Sequence, residues 1–366
     1  MTLENGVSVQ EHGTMTGLLP GPRTALAAVL PATLPTVDTV ADAGVQVQPR
    51  PLTYDAPVSR HLVHRASIAE VFVTDSVALD DENYLVAAQL PRGHAIGENG
   101  TLYDFQILVE AVRQAGVLIA HEHLGIDLET PFIFRGLDLE VLDLARLQIG
   151  ASPGVAVIRT SVQVERTGAG RLRGLSFRGG VDLDGEPAVE GSGRLLFVTK
   201  GSYQALRKRG RESKLALNRP TMLPLNPAAP ASVGRHNPRN VVITEPVPLG
   251  DRRIGASLVI DRRHPYLFDH PLDHVPGNLS LEACRQAALA AVGREYGLAV
   301  QSLTITGFAV EFGEFAETDL LTRLTAQVGE LSYDDRRGVV AAPVVVELTQ
   351  AGTALATAKV QVAAWV

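Results

Sequence analysis

A chain of 366 residues is too long for one ordinary core, so two domains are expected. Its 45% hydrophobic and 20% charged residues fit a globular protein with ample core, and a net charge of −7 argues against a general nucleic-acid binder, which presents a basic face. A single cysteine, Cys284, forbids an intramolecular disulfide and suits a reducing cytoplasm.

Residues 1–55 are rich in Ala, Pro, Thr and Val, with Pro20, Pro22, Pro31 and Pro35 scattered among them. No cationic start leads into an apolar core, and no run approaches the roughly 20 apolar residues of a membrane span. This segment reads as a loosely ordered extension without chemistry, and no membrane association is expected. A first domain is expected over 56–200. Its helix lies in LVEAVRQAGVLIA, Leu108 to Ala120, followed by a strand in FRGLDLEV, Phe134 to Val141. Then come VAVIRTSVQVER and LSFRGGVDLDGEPAVEGSGRLLFVTK, whose period-two alternation is broken at Thr167-Gly168 and Asp184-Gly185. Such alternation between glycine turns predicts antiparallel hairpins.

Residues 201–240 are Pro-rich and basic, with Arg207, Lys208, Arg209 and Arg211 clustered. They read as a solvated linker covering a sheet edge, the sharper alternative being a docking patch for an acidic partner or a phosphorylated substrate. A second domain, 241–366, repeats the plan of the first. Its helix lies in LSLEACRQAALAAVG, Leu279 to Gly293, and its next strand in ITGFAVEF, Ile305 to Phe312. Gly136 matches Gly307 and Glu140 matches Glu311; hairpin strands follow, with a turn at Ala351-Gly352.

Both helices are apolar nearly all round, so each must be covered on every side. The economical cover is an antiparallel sheet curled around the helix, which is the hot-dog fold (α+β). Two copies in one chain are expected to pair their open sheet edges as an intramolecular pseudo-dimer.

Three polar residues interrupt each helix at the same relative positions: Glu110, Arg113 and Gln114 in the first, Glu282, Arg285 and Gln286 in the second. At about 100° per residue each set forms one narrow stripe. A buried carboxylate or guanidinium costs several kcal/mol unless paired, so the second stripe suggests function rather than a surface ion pair, while the first reads equally as a pattern kept in a half that has lost its chemistry. Ahead of the second helix, His264, Asp269, His270, Asp273 and His274 lie in HPYLFDHPLDHVPGN. Pro276-Gly277 is a turn that presents free backbone N–H groups at the helix start, a favourable place for developing negative charge.

FDHPLDHVPG followed by LEACRQAA resembles the signature of the A-factor biosynthesis (γ-butyrolactone synthase) family, and YDFQILVEAVRQAGVLIAHEHLG resembles that family's N-terminal repeat. The second-half motif is also similar, more distantly, to hot-dog acyl-carrier dehydratases, which carry a loop His, a Pro-Gly and an acid five residues after the glycine. That likeness implies Glu282 and His270 at catalytic positions. The family resemblance implies two hot-dog repeats and transfer of a β-ketoacyl group from a carrier-protein or coenzyme A thioester to the hydroxyl of dihydroxyacetone phosphate. The product would be a precursor of a γ-butyrolactone, butenolide or furan-type signal.

The roles expected on this basis are Glu282 as base with a raised pKa, Arg285 binding phosphate or holding Glu282 ionised, and His270 as catalytic or orienting group. Gly277 and Asn278 at the helix start, with Gln286, His274, Glu110 and Arg113, are expected to contact substrate. The first half lacks Pro-Gly before its helix, so its own site is in doubt; His94 or Asp104 could instead complete a site across the interface. The histidine spacing matches no strong zinc signature, and neither metal nor cofactor is expected. Cys284 points away from the stripe and is expected to pack in the core. A hot-dog dehydratase or thioesterase, and a non-catalytic acyl-ligand binder, are the competing readings.

Overall fold

The computed structural model describes residues 50–98, 100–217, 219 and 225–364. Residues 1–49 of the expected N-terminal extension lie outside the described residues. The first repeat runs β1 (Val73–Ala78), β2 (Asn83–Leu90), α1 (Phe105–Leu118), β3 (Phe132–Val141), β4 (Gly154–Arg166), β5 (Leu172–Leu183) and β6 (Glu186–Phe197). After α2 (Lys200–Leu217), the second runs β7 (Val247–Gly250), β8 (Arg253–Ser257), α3 (Gly277–Tyr296), β9 (Leu303–Phe312), β10 (Thr322–Val328), β11 (Ser332–Asp334), β12 (Val339–Gln350) and β13 (Thr353–Ala364).

These strands form one antiparallel sheet in the order β1-β2-β4-β5-β6-β3-β9-β13-β12-β10-β8-β7, with β11 beside β12. Each half carries the same strand order, and the halves join edge to edge at β3 and β9. Gly136 faces Glu311, Asp138 faces Ala309 and Glu140 faces Gly307, so the glycines and glutamates matched in the two repeats pair crosswise about a local two-fold axis. Gly136 is required at this seam: a Cβ there would stand 2.9 Å from the Val310 carbonyl oxygen. At the hairpin tips Asp184-Gly185 and Ala351-Gly352 all have positive φ, as a two-residue turn matched to strand twist demands.

The all-round apolar sequence of α3 has the expected consequence. Every residue from Leu279 to Gly293 is buried, and the helix packs against β8, β9, β10, β12 and β13. Residues Phe105–Leu118 of α1 are similarly enclosed, and a π-helical turn, Ile119–His123, extends that helix. Among the described residues no helix is long and apolar enough to cross a membrane.

The segment 201–240, expected as a solvated linker, is different. Most of it up to Leu217 is α2, whose buried residues are Arg207 and Lys214. Arg207 holds Glu317 through two hydrogen bonds of 2.8 and 2.9 Å and also reaches Asp273, while Arg211 pairs with Glu317 and Asp319. Lys214 Nζ donates to Glu314 and to the Phe315 carbonyl. Cations at i, i+4 and i+7 share one face of a helix, and here that face meets an acidic loop of the same chain. The Pro230–Asn240 stretch then supplies Arg235 and Asn240 to the interior.

Candidate active site

Both polar stripes are buried, and each is completed by an arginine from outside its helix. In the first half Arg65 sits between two short 3-10 turns, Arg60–Val63 and Ile68–Glu70; in the second, Arg235 sits between Pro230–Val233 and Pro238–Asn240. Glu110 accepts from Arg65 Nε at 2.7 Å, from Arg113 Nε and Nη2 at 2.9 and 2.7 Å, and from Gln114 Nε2 at 2.6 Å. Glu282 accepts from Arg235 Nε and Nη2 at 2.8 and 2.7 Å, from Arg285 Nε and Nη2 at 3.0 Å, and from Gln286 Nε2 at 2.6 Å. The glutamines act as backbone clips. Gln114 accepts from Phe72 N and donates to Glu70 O, and Gln286 does the same with Val242 N and Asn240 O.

These contacts reverse one expectation. Burial opposes ionisation of Glu282, but Arg235 and Arg285 outweigh it and hold the carboxyl below the usual carboxylate range. Glu110 is lowered likewise, burial again being overcome by Arg113 and Arg65. An ionised carboxylate saturated with donors is a poor proton acceptor. Gln286, expected at substrate, spends its amide on Glu282 and the backbone.

The helix starts cross the local two-fold axis. Asn278, the second residue of α3, donates to Glu110 Oε2 at 3.0 Å and thus meets the first half's carboxylate. Reciprocally, Asp104 at the start of α1 accepts from Arg235 Nη1 at 2.7 Å. The second-half loop also caps the first half: Asp269 accepts from Ala66 N and Ser67 N. Its mirror image is Glu98, which accepts from His236 N and Asn237 N. The nine residues expected at one site therefore fall into three groups. Glu282, Arg285 and Gln286 form one junction with Arg235 and Asp104. Glu110, Arg113 and Asn278 form the other, with Gly277 preceding Asn278 in the chain and His270 following Asp269, which is seated on that half. His274 belongs to the α2 dock, bonded to Asp273 at 2.6 Å and lying edge-on to Phe315.

The remaining loop and helix groups are structural. His264 Nδ1 accepts from Tyr266 N and Leu267 N while Nε2 meets Asn240 Oδ1 at 2.9 Å; His94 repeats this against Ile96 N and Glu70. Burial, then the Arg239 charge, lowers the His264 pKa from 6.5 to about 4. Burial, then Arg113, lowers that of His64, which is bonded to His121, to about 3. The unfolded chain takes up both protons below pH 6.5 and the folded chain does not. Stability therefore declines as pH falls from 6.5 towards 4, and urea-unfolding midpoints at pH 7, 6 and 5 should decrease in that order. A flat profile would show that neither ring is held neutral. For Cys284, burial followed by the Glu282 charge pushes the thiol far above its ordinary pKa, which suits packing and not nucleophilic attack.

The model of the A-factor biosynthesis hotdog domain matches residues 47–199 and again 218–365. The chain belongs to that family. A Streptomyces virginiae relative named 2-oxo-3-(phosphooxy)propyl 3-oxoalkanoate synthase is 34% identical over 235 residues, 64% of this chain and 76% of the relative. Relatives of the same name from Streptomyces griseus subsp. griseus (33% over 293 residues, 74% and 86%) and Streptomyces coelicolor (31% over 250 residues, 65% and 73%) are also similar. In this A-factor biosynthesis chain the paired hot-dog repeats are the fold that its sequence pattern implied.

The two junctions of this A-factor family member are not equal. At the Glu110 junction α3 begins at Pro276-Gly277 with no side-chain cap; at the Glu282 junction the counterpart of Pro276 is Asp104, whose side chain caps α1 by accepting from Gln106 N. His264 and His94 are equivalent on the two capping loops; the loop that caps the Glu110 junction carries His270 and His274 besides, and the loop that caps the Glu282 junction has no further histidine. Arg113 is 19% exposed and Arg285 8%. Sequence reasoning missed Arg65 and Arg235. Aligning VHRASIAEV with VGRHNPRNV, whose arginines stand 45 and 47 residues ahead of the two helix glutamates, would have found both.

Proposed function

We propose that this chain transfers a β-ketoacyl group from a thioester to the hydroxyl of dihydroxyacetone phosphate, giving the phosphorylated β-ketoester that its relatives' shared name describes, a precursor of butenolide or γ-butyrolactone signals. The donor is an acyl-carrier protein or coenzyme A thioester. The reacting centre is the Glu110 junction. The observation that carries this reading is the placement of Asn278 and the uncapped start of α3 beside Glu110 and Arg113, on the junction whose capping loop carries His270 as well as the structural His264.

In this mechanism the acceptor hydroxyl oxygen attacks the thioester carbonyl carbon. His270 takes the hydroxyl proton; its side chain is 40% exposed, and its Nδ1 lies 3.5 Å from Asp269, which leaves Nε2 towards the acceptor. The N–H groups of Gly277 and Asn278 stabilise the oxyanion at the positive end of a twenty-residue helix. The carbon–sulfur bond breaks, and His270 returns the proton to the departing sulfur. Glu110 stays ionised throughout and orients Arg113 and Asn278. Glu282, Arg285, Gln286 and Asp104 act as the matching structural junction.

Incubating the purified chain with a β-ketoacyl-carrier thioester, with and without dihydroxyacetone phosphate, tests the reading. Ester formed only with the triose phosphate is expected. Free acid in both tubes would mark a thioesterase, an unsaturated acyl group still on the thiol a dehydratase, and unchanged thioester a binding protein.

A further inference from the structure

The two junctions differ in charge at their centres. Asp269 and Glu98 are counterparts and accept equivalent pairs of backbone N–H groups. Beyond them, the Glu282 junction holds two guanidiniums, Arg235 and Arg285, against two carboxylates, Glu282 and Asp104. The Glu110 junction holds two guanidiniums, Arg65 and Arg113, against Glu110 alone. Pro276 occupies the position equivalent to Asp104 and brings no charge. The consequence is visible at Arg65. Its Nη1 reaches only the Tyr266 carbonyl at 3.3 Å, where Arg235 Nη1 reaches both the Ile96 carbonyl and Asp104 at 2.7 Å. Arg65 is buried, and its Nη2, although 2.5 Å from Glu110, makes no hydrogen bond of good geometry.

Two buried cations that share one carboxylate are costly, and a protein that folds around them gains energy back when an anion arrives. Arg113 gives the anion access: its Nε and Nη2 are used by Glu110 and the Val63 carbonyl, its Nη1 makes no hydrogen bond, and it is the more exposed of the two helix arginines. We infer that the Glu110 junction is a binding subsite for a phosphate monoester, with Arg113 as the direct ligand and Arg65 supplying uncompensated charge behind it. The subsite is one-sided because Asp104 fills the equivalent place in the other half. This rests on the acyl-transfer reading for its ligand, the phosphate of the acceptor, and not for the charge asymmetry itself.

The test compares dihydroxyacetone phosphate with unphosphorylated dihydroxyacetone as acceptors for the full chain. Arg113→Gln is expected to raise KM for the phosphorylated acceptor by about 10- to 100-fold, the range of one charged hydrogen bond, and to raise KM for dihydroxyacetone far less, whatever its effect on kcat. Pro276→Asp restores the missing carboxylate at a helix N-cap where Asp is well tolerated, so it tests the inference even if Arg113→Gln folds poorly. The new carboxylate would also take the Asn278 N–H, as Asp104 takes that of Gln106, so kcat is expected to fall with both acceptors and the selective effect is read in KM for the phosphorylated one. Equal rises in KM with both acceptors, or an unchanged KM for the phosphorylated acceptor in Pro276→Asp, would overturn the subsite. If the wild type transfers to neither acceptor, the acyl-transfer reading fails by itself. Calorimetry with inorganic phosphate then decides: binding lost in both variants supports the anion site, and no binding to the wild type overturns it.

Discussion

Replacing Glu282 with alanine is expected to destabilise the fold by about 3–5 kcal/mol, because it leaves Arg235 and Arg285 buried without their shared counter-charge. Glu282 is fully buried, and its carboxylate joins α3 to the turn that carries Arg235, which in turn reaches Asp104 and Ile96 in the other repeat. The variant therefore loosens the seam between repeats as well as one helix. Converting Glu282, Arg235 and Arg285 together to leucine or methionine should recover much of the loss, since the cost lies in orphaned charge more than in a missing attraction. Urea unfolding followed by circular dichroism measures both. A loss below about 1 kcal/mol, the size of an exposed ion pair, would show that the network is solvated.

His270→Ala is expected to behave in the opposite way. The ring is partly exposed and its one hydrogen bond among the described residues is the long contact with Asp269, so the unfolding midpoint should stay near that of the wild type. The transfer rate should drop about 10²- to 10⁴-fold, the usual contribution of a positioned proton-transfer group. Wild-type kcat in His270→Ala would remove this residue from the mechanism.

The repeat, its helices and most hairpins were legible because they depend on local patterns. Alternation over β4, β5, β12 and β13 and the Gly turns between them are short-range signals, and the matched motifs around Gly136 and Gly307 showed the repeat but not the crosswise pairing of Gly136 with Glu311. The stripe Glu-x-x-Arg-Gln told which face of each helix was polar. It did not tell what that face met. Arg65 and Arg235 come from 3-10 turns without periodicity, far from the glutamates in sequence, and they reverse the pKa that burial by itself would produce. The crossing of helix starts is equally non-local: Asn278 lies near Glu282 in sequence and binds Glu110 in space. The basic run Arg207–Arg211 read as solvated because its acidic partners, Glu317 and Asp319, lie over a hundred positions later in the chain.

The central claim is that one junction of the two, that of Glu110, takes the substrate. Titrating the chain calorimetrically with a β-ketoacyl thioether, which binds and cannot transfer, measures this most directly. One equivalent per chain, abolished when Asn278 is replaced by tryptophan, is the expected result; two equal sites, or one site indifferent to that change, would contradict it.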